Sequence, residues 1–313
     1  MEANSKTKSG LTAGCGNEGA PTRFTPLFND AFLRIFGSAD SEPVTKPLLN
    51  AVLRKVGLEE LDRIESISTD ASLPGGVECK TPRLDVVVVC DDGRLIDLEA
   101  QRRKVDVGAK SLLYAAKLLV ENTPKGKDDS YRHMPHVVAV VLLEGSTVVP
   151  DPGRFISVCK MRWDAERPLG GPLDGPDNIV VVLAELDKVR ARYNDGEHMD
   201  EVLTDESLAW LYLLAIGYED PEEVNAIMKS FPTMEEFATR YGIALGDPDL
   251  KRAYDRYWES ELEYNSIMEA AREDGREEGR KEGHEEAVAT LRAAGFEEAA
   301  ALVEHLAGRS ASR

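Results

Sequence analysis

The sequence lacks long hydrophobic runs, because no stretch of about 18 residues is both apolar and free of charge. We therefore expect no membrane span. The first residues, MEANSKTKSGLTAGCGNEG, also lack the apolar core of a secretory signal, which predicts a cytoplasmic protein. Cysteine is scarce as well: four cysteines occur in 313 residues and no two form a CxxC pair. Neither a zinc site nor a disulfide framework is indicated.

Basic residues are also in short supply, and the net charge of −19 disfavours simple binding to nucleic acid. The excess is unevenly distributed. Residues 195–313 contain 29 acidic and 12 basic residues, whereas residues 80–132 contain 11 basic and 9 acidic ones. Any contact with a polyanion is therefore expected in the second of these stretches.

Composition and periodicity divide the chain into four parts. Residues 1–22 are small, polar and glycine-rich, which is typical of a disordered tail. Residues 23–190 alternate between helical and strand-like patterns and predict one α/β domain. Residues 195–265 predict an accessory helical region, and residues 266–313 a charged helix and tail with glycine at every fourth position of its repeat.

Within the α/β part, two amphipathic helices precede a strand-rich stretch in which the hydrophobic period shifts to two. A helix follows at about 107–122, and the apolar runs HVVAVVLLE and NIVVVLAEL read as strands buried inside a sheet. The predicted fold class is α/β, with a mixed sheet flanked by helices and followed by a helical C-terminal region with a long charged helix.

The segment RLDVVVVCDDGRLIDLEAQ predicts a hairpin, and its register can be chosen between two alternatives. A two-residue loop pairs Asp85 with Ala100 and mixes polar with apolar residues on both faces. A three-residue loop, with Gly93 left-handed, pairs Asp85 with Glu99 and separates the faces. The acidic face then contains Asp85, Asp97, Glu99 and Gln101.

Carboxylates gathered on one face repel one another unless a cation or ordered water neutralises them. Hard oxygen ligands favour Mg²⁺ or Mn²⁺, and magnesium takes one or two protein carboxylates together with water and phosphate oxygens. We therefore expect Asp85 and Glu99 to hold the metal and Gln101 to orient the attacking water. Asp97 is left open between a site residue and a solvated strand residue.

Basic residues follow the hairpin directly and are expected to contact the phosphate backbone of DNA. Arg102, Arg103 and Lys104 come first, and Lys110 shares a face of the next helix with Tyr114.

The ordered motifs resemble the Rpn family of recombination-promoting nucleases, also described as PD-(D/E)xK nuclease family transposases. The resemblance covers roughly residues 24–190 and rests on FTPLFNDAFLRIFG, LLNAVL, RLDVVVVCDDGRLIDLEAQ, KSLLYAAKLL, HVVAVVLLE and VVVLAELDKV. The glycine repeat near the C-terminus is also similar. The resemblance implies a restriction-endonuclease-like fold and metal-dependent DNA cleavage linked to recombination.

By motif, the resemblance makes Asp85 the first catalytic aspartate and Glu99 the acidic residue of (D/E)xK. Gln101 takes the lysine position, which leaves that position without a positive charge for the transition state. Asp30 matches an acidic residue of the first helix that approaches the metal, although Asp also serves as a helix N-cap. Lys110 stands where the family often has arginine.

Two other hypotheses remain at this stage. The chain could keep the nuclease fold without activity and act as a module that binds DNA or protein. Alternatively, it could be an assembly protein built around the terminal helix. The glycines of the C-terminal repeat predict either a helix-packing face for self-association into a homo-oligomer or a highly solvated tail, and we favour self-association.

Overall fold

The structure is a computed structural model that describes residues 24–72, 83–102, 106–124, 133–166, 172–174, 177–194 and 198–310. Contacts within the chain divide it into two units, Met1–Lys251 and Arg252–Arg313. The predicted N-terminal tail lies outside the described residues. The four-part domain division predicted above stays a prediction.

Two helices, α1 (Asn29–Phe36) and α2 (Glu42–Lys55), open the first unit. Their apolar faces are buried, as the helical spacing of phenylalanine and leucine predicts. Gly37 ends α1 where a side chain has no room: an added Cβ would lie 2.2 Å from Cγ2 of Thr69 and 3.2 Å from Cγ2 of Val86. Glycine is therefore required here by the close approach of α1 to the sheet.

The main sheet has six strands in the order β1-β2-β3-β4-β8-β5 within the part of the chain that the structure describes. The outer pairs β1–β2, β2–β3 and β8–β5 are antiparallel, and β3–β4–β8 are parallel. A separate hairpin joins β6 and β7. The strands are β1 (Ile64–Ser72), β2 (Arg83–Cys90), β3 (Leu95–Gln101), β4 (Val137–Leu143), β5 (Ile156–Cys159), β6 (Arg162–Glu166), β7 (Pro172–Asp174) and β8 (Ile179–Glu185).

Helix α3 (Val107–Asn122) covers one face of this sheet, packing Ala115 and Leu118 against residues such as Ala139 of β4. The uninterrupted apolar sequence of β4 follows from its position, because a central strand between helices is buried on both faces. Both buried-strand predictions are confirmed. The prediction of a mixed sheet flanked by helices is also confirmed, and the architecture is that of a restriction-endonuclease-like fold.

The loop after β4 is tied to the end of β8 by Glu185, whose side chain is fully buried. Oε1 of Glu185 accepts hydrogen bonds from the backbone N–H groups of Val148 and Val149, at 2.6 and 3.3 Å. Its Oε2 accepts from Nζ of Lys188 at 2.7 Å, and the same ammonium donates to the carbonyl oxygen of Arg154 at 3.0 Å. Both charges of this buried pair are thus hydrogen-bonded, as burial requires.

Five further helices complete the first unit before the long helix begins. Helix α6 is buried from Ser207 to Ala215 and supplies Trp210 and Tyr212 to the core. Helix α8 stacks Phe237 against Phe36 of α1. The accessory helices therefore share a core with the N-terminal helices. Their bounds are α4 (Leu186–Tyr193), α5 (Met199–Val202), α6 (Glu206–Ala215), α7 (Pro221–Ser230) and α8 (Glu235–Leu245).

The long charged helix is present as α9 (Pro248–Ala293), and α10 (Glu297–Ser310) follows it. Gly295 joins the two in a left-handed conformation with φ of 82°. Val288 and Ala300 are buried at this turn, where Arg292 pairs with Glu304 at 2.8 Å. Among the described helices, none has the length and apolar character to cross a membrane.

Candidate active site

The hairpin between β2 and β3 sets the geometry of the candidate site, and its register is the one expected from the three-residue loop. Val86 pairs with Leu98 and Val88 with Ile96, while Gly93 has a φ of 82°. The acidic residues therefore alternate along one face of β3. Ala115 and Leu118 of α3 pack in the same core cluster as Leu95, and Lys110 of α3 bonds Glu99 and Gln101.

Asp85 is partly buried where β2 approaches the C-terminal end of β3. Its Oδ2 accepts a hydrogen bond from the backbone N–H of Ala100 at 3.1 Å, which fixes the carboxylate against β3. Burial raises the pKa of Asp85, although the Ala100 hydrogen bond and the charge of Lys110 oppose this rise. The hydrogen bond from Ala100 thus holds the side chain of Asp85 in place beside Glu99.

Glu99 is buried, with 3% of its surface exposed. Its Oε2 accepts a hydrogen bond from Nζ of Lys110 at 2.6 Å, and the same ammonium donates to Oε1 of Gln101 at 3.0 Å. Burial raises the pKa of Glu99, and the neighbouring charge of Asp85 raises it further. One lysine of α3 therefore contacts both residues of the ExQ motif.

The start of α3 explains why Lys110 reaches the strand. Asp106 is the N-cap, and its Oδ1 accepts from the backbone N–H of Ala109 at 3.0 Å. Lys110 follows within the first turn, and Tyr114 lies one turn later with its ring centroid 5.1 Å from Nζ of Lys110. Burial alone would lower the pKa of Lys110, but the charge and hydrogen bond of Glu99 outweigh it and raise the pKa. The ammonium is therefore charged and has an aromatic neighbour.

Asp97 is the most deeply buried acidic residue of this face, at 1% exposure. Among the described residues, neither of its carboxylate oxygens has a hydrogen-bond partner. The alternative that Asp97 is a solvated strand residue is wrong, because almost none of its surface is exposed. Burial raises the pKa of Asp97 well above its ordinary value, and the charges of Glu99 and Asp85 add to the rise.

Arg102 lies at the end of the motif but faces a carboxylate. Its Nε donates to Oε2 of Glu144 at 2.8 Å, and Nη2 of Arg190 donates to Oε1 of the same residue at 2.6 Å. Burial would raise the pKa of Glu144, but these two guanidinium groups hold it below its ordinary value. Arg102 therefore contributes to an ion-pair network beside the site.

The remaining predicted residues lie in different surroundings. Arg103 and Lys104 fall outside the described residues. Asp30 is exposed in the first turn of α1, where Nδ2 of its neighbour Asn29 donates to it at 3.4 Å. The N-cap of α1 is Phe28, so the N-cap explanation of Asp30 does not apply. No hydrogen bond or ion pair among the described residues joins Asp30 to the β3 carboxylates.

A divalent cation at this site would need hard oxygen donors. Among the described residues, no three His, Cys, Asp or Glu side chains are grouped so that they could hold a metal ion. Magnesium, however, needs one or two protein carboxylates and completes its shell with water and phosphate. Asp85 and Glu99 meet this requirement, and Oε1 of Glu99 is buried without a hydrogen-bond partner in the described part of the chain. The residues fit a hard divalent cation.

A family model described as PD-(D/E)XK nuclease family transposase matches residues 27–271. The chain belongs to this family. The suspected resemblance is thereby confirmed for most of the chain. No curated protein and no solved structure matches it. PD-(D/E)xK nucleases generally use divalent metals and act on DNA, so family membership and the carboxylate face point to the same chemistry.

Sequence reasoning missed two aspects of this PD-(D/E)xK site. It gave Lys110 to the DNA backbone, whereas the structure places its ammonium on Glu99 and Gln101. It also left Asp97 undecided, because burial of that side chain depends on contacts outside its own strand. The helical position of Lys110, four residues after the Asp106 N-cap, was a signal that its side chain turns back toward the end of β3.

Proposed function

We propose that this chain is a divalent-metal-dependent DNA endonuclease that acts in DNA recombination or transposition. The observation that carries the proposal is the convergence of Asp85, Glu99 and Gln101 on one sheet face, with Lys110 bonded to the last two. An ordinary solvated sheet face would have no reason to bury these carboxylates. Family membership supports phosphodiester cleavage as the reaction class.

Asp85 and Glu99 are the residues that would hold Mg²⁺ or Mn²⁺. When bound, such a cation lowers the pKa of water and stabilises charge on a phosphate. The Ala100 hydrogen bond orients Asp85 for this role, and Lys110 fixes one oxygen of Glu99 so that the other is available. Gln101 orients the attacking water by hydrogen bonding.

Lys110 supplies the positive charge that Gln101 cannot provide. In a (D/E)xK motif the lysine follows the acidic residue on the same strand, whereas here the ammonium comes from α3 and contacts the same two positions. A fixed cation beside a phosphate lowers the energy of the transition state, and it does so most where water is excluded. Tyr114 limits the positions of the ammonium by packing against it.

DNA contacts are assigned to Arg103 and Lys104, which follow the carboxylates in sequence, and to Tyr114, which packs against Lys110. Arg102 acts on DNA binding indirectly, because its ion pair with Glu144 anchors the end of β3. The proximity of Asp30 to the metal remains a prediction.

Cleavage of supercoiled plasmid by the full-length protein tests the proposal. Wild type, Asp85→Asn and Glu99→Gln are compared at low salt with EDTA, Mg²⁺ or Mn²⁺, and Glu121→Gln is the matched control on an exposed position of α3. We expect nicking that requires a cation, disappears in both site variants and persists in the control.

Cleavage that survives in the site variants would contradict the assignment of the site. If neither wild type nor any variant cleaves DNA, and all of them bind DNA equally, the second candidate function is favoured. In that function the nuclease fold serves as a binding module. The presence of glutamine at the lysine position is the observation that favours this second candidate.

Self-association through α9 is also part of the proposal. Gly275, Gly279 and Gly283 are exposed, and beyond the adjoining backbone of α9 an added Cβ at each meets no atom of the described residues within 4 Å. Since glycine in a helix costs about 1 kcal/mol relative to alanine, a second copy packing closely on this face would explain its presence. The triple alanine variant is expected to melt higher yet lose oligomers in analytical ultracentrifugation. An unchanged oligomeric state in that variant contradicts this role.

A further inference from the structure

The outer edge of β5 has backbone groups that point away from the sheet. Among the described strands, β5 pairs only with β8, so its other edge is open. The backbone N–H of Glu185 donates to the carbonyl oxygen of Phe155 at 2.8 Å, which makes these two facing residues a hydrogen-bonded pair. Such pairs alternate along an antiparallel ladder. Ile156 and Val158 therefore direct their N–H and C=O groups to the open edge, where no described residue bonds them.

A cavity of about 760 Å³ runs beside this edge. Its lining includes the four consecutive residues 155–158, Val56 after α2, and Leu208 and Leu211 of α6. Because side chains alternate between the two faces of a strand, a cavity that meets four residues in a row reaches the backbone of β5. Its volume is within the range of about 300 to 1,000 Å³ that is usual for ligand sites. We call this cavity the β5–α6 groove.

The charged residues that line the β5–α6 groove form three ion pairs. They are Lys55–Asp205 at 2.5 Å, Arg192–Glu201 at 3.1 Å and Arg154–Asp151 at 3.8 Å. The lining therefore has no net charge, although the chain as a whole has a charge of −19. A highly charged occupant of either sign would have to compete with these pairs, so an uncharged occupant fits the groove best.

The start of β5 is fixed by contacts that do not depend on a ligand. Nζ of Lys188 donates to the carbonyl oxygen of Arg154 at 3.0 Å, and the ring centroid of Phe155 lies 6.0 Å from that of Tyr193. A binding edge that is already ordered loses little conformational freedom when a ligand binds. The open edge of β5 is therefore preorganised for binding.

We propose that the β5–α6 groove binds an uncharged, extended peptide segment of a partner protein by strand addition. The backbone of the segment bonds to Ile156 and Val158, and its alternate apolar side chains enter the groove toward Leu208 and Leu211. Strand β5 is separated from β3 by β8 and β4, which corresponds to about 14 Å for neighbouring strands about 4.8 Å apart. The groove is thus separate from the carboxylates of β3, and its role goes beyond DNA cleavage because it attaches the chain to another protein.

Fluorescence polarisation of labelled peptides with the full-length protein tests the proposal. The probes are uncharged heptapeptide amides, Thr-Val-Thr-X-Thr-Val-Thr, in which X is Val, Ile, Leu or Phe. The tightest binder is compared with two N-methylated versions, one methylated at its apolar residues and the other at its inner threonines. Since the N–H groups of successive residues point to opposite edges of a strand, only one of these two sets faces β5. We expect one methylated version to bind at least about 10-fold more weakly than the other.

Substitutions at the groove show where the peptide binds. Val158→Pro removes the outward N–H and is tolerated at a sheet edge, whereas Val158→Ala keeps it. Val56→Trp fills the groove at a half-buried position, and Val120→Trp on an exposed position of α3 is its matched control. We expect Val158→Pro and Val56→Trp to weaken binding at least about 10-fold. Val158→Ala should bind more tightly than Val158→Pro, and Val120→Trp should match wild type. The Tm of each variant shows whether it is folded.

The proposal is overturned if the two methylated versions bind equally, or if binding persists in both Val158→Pro and Val56→Trp. It is also overturned if wild type binds none of the probes. Should that wild-type protein form oligomers that Val158→Pro loses, the edge pairs with a second copy of this chain instead. The nuclease proposal is unaffected by any of these results, because plasmid cleavage is measured without peptide.

Discussion

Replacing Lys110 with methionine separates the structural role of this lysine from its chemical role. Methionine keeps most of the length of the side chain and its contact with Tyr114 but removes the ammonium that bonds Glu99 and Gln101. In the variant, Glu99 remains buried beside Asp85 and Asp97 without its bonded cation. We therefore expect a less stable protein in the absence of metal.

The magnitude follows from the geometry of the ion pair. At an effective dielectric constant of about 20, unit charges about 4 Å apart attract by about 4 kcal/mol. The lysine side chain is 30% exposed, so part of this attraction is offset by hydration lost on folding. Glu99, whose pKa is already raised, can also take up a proton, at about 1.4 kcal/mol per pKa unit. We expect a loss of about 2 kcal/mol in the free energy of unfolding.

Differential scanning fluorimetry in EDTA at neutral pH measures this loss. A change of about 2 kcal/mol in a chain of this size lowers Tm by roughly 4 to 8 °C. Saturating Mn²⁺ should restore most of the difference, because the cation replaces the missing positive charge at Glu99. DNA cleavage, by contrast, should stay about 100-fold or more below wild type even with Mn²⁺.

Lys110→Arg preserves the charge and is expected to recover Tm more fully than activity, because the planar guanidinium cannot occupy the ammonium position. Lys229→Met, on an exposed position of α7, is the control and should match wild type in both assays. The reasoning is refuted if Lys110→Met has the Tm of wild type in EDTA, or if it cleaves DNA at the wild-type rate.

Three further predictions follow from other parts of the molecule. Arg102→Ala should lower the free energy of unfolding by about 2 kcal/mol; because the pKa of Glu144 is depressed in the folded state, the difference from wild type in urea titrations should shrink as the pH falls below about 4. Cys159 is exposed, whereas burial raises the pKa of Cys90 to about 12, so iodoacetamide followed by peptide mapping should label Cys159 and spare Cys90 until the protein unfolds. Gly37→Ala should lower Tm by several degrees, since its Cβ meets the sheet at 2.2 Å; an unchanged Tm would show that α1 can shift.

Much of the site could be predicted because its determinants are local. The hairpin register follows from a strand period of two and from a glycine that adopts a positive φ, and both apply to Gly93 and the residues around it. The bounds of α3 and the buried strands β4 and β8 follow from patterns within each segment. Local rules therefore place Asp85 opposite Glu99.

The parts that could not be predicted depend on contacts distant in sequence. Burial of Asp97 depends on contacts outside β3, and pairing of Lys110 with Glu99 depends on how α3 packs beside the end of that strand. Strand β5 has two half-buried and two exposed residues and no clear periodicity, so its place beside β8 comes from the open edge of that strand. The Arg102–Glu144 pair likewise joins segments 42 residues apart in sequence.

The hydrogen bonds of Glu185 have a consequence for how the molecule can move. One buried carboxylate accepts hydrogen bonds from the amides of Val148 and Val149. It also binds the ammonium of Lys188, which donates to the carbonyl oxygen of Arg154. The connection from β4 to β5 is therefore expected to be as rigid as the sheet. Hydrogen exchange at those two amides should be as slow as in the sheet. Insertions that ordinary surface loops tolerate would break the hydrogen bonds of Glu185 in this loop. The loop is therefore expected to resist local opening as strongly as the sheet does.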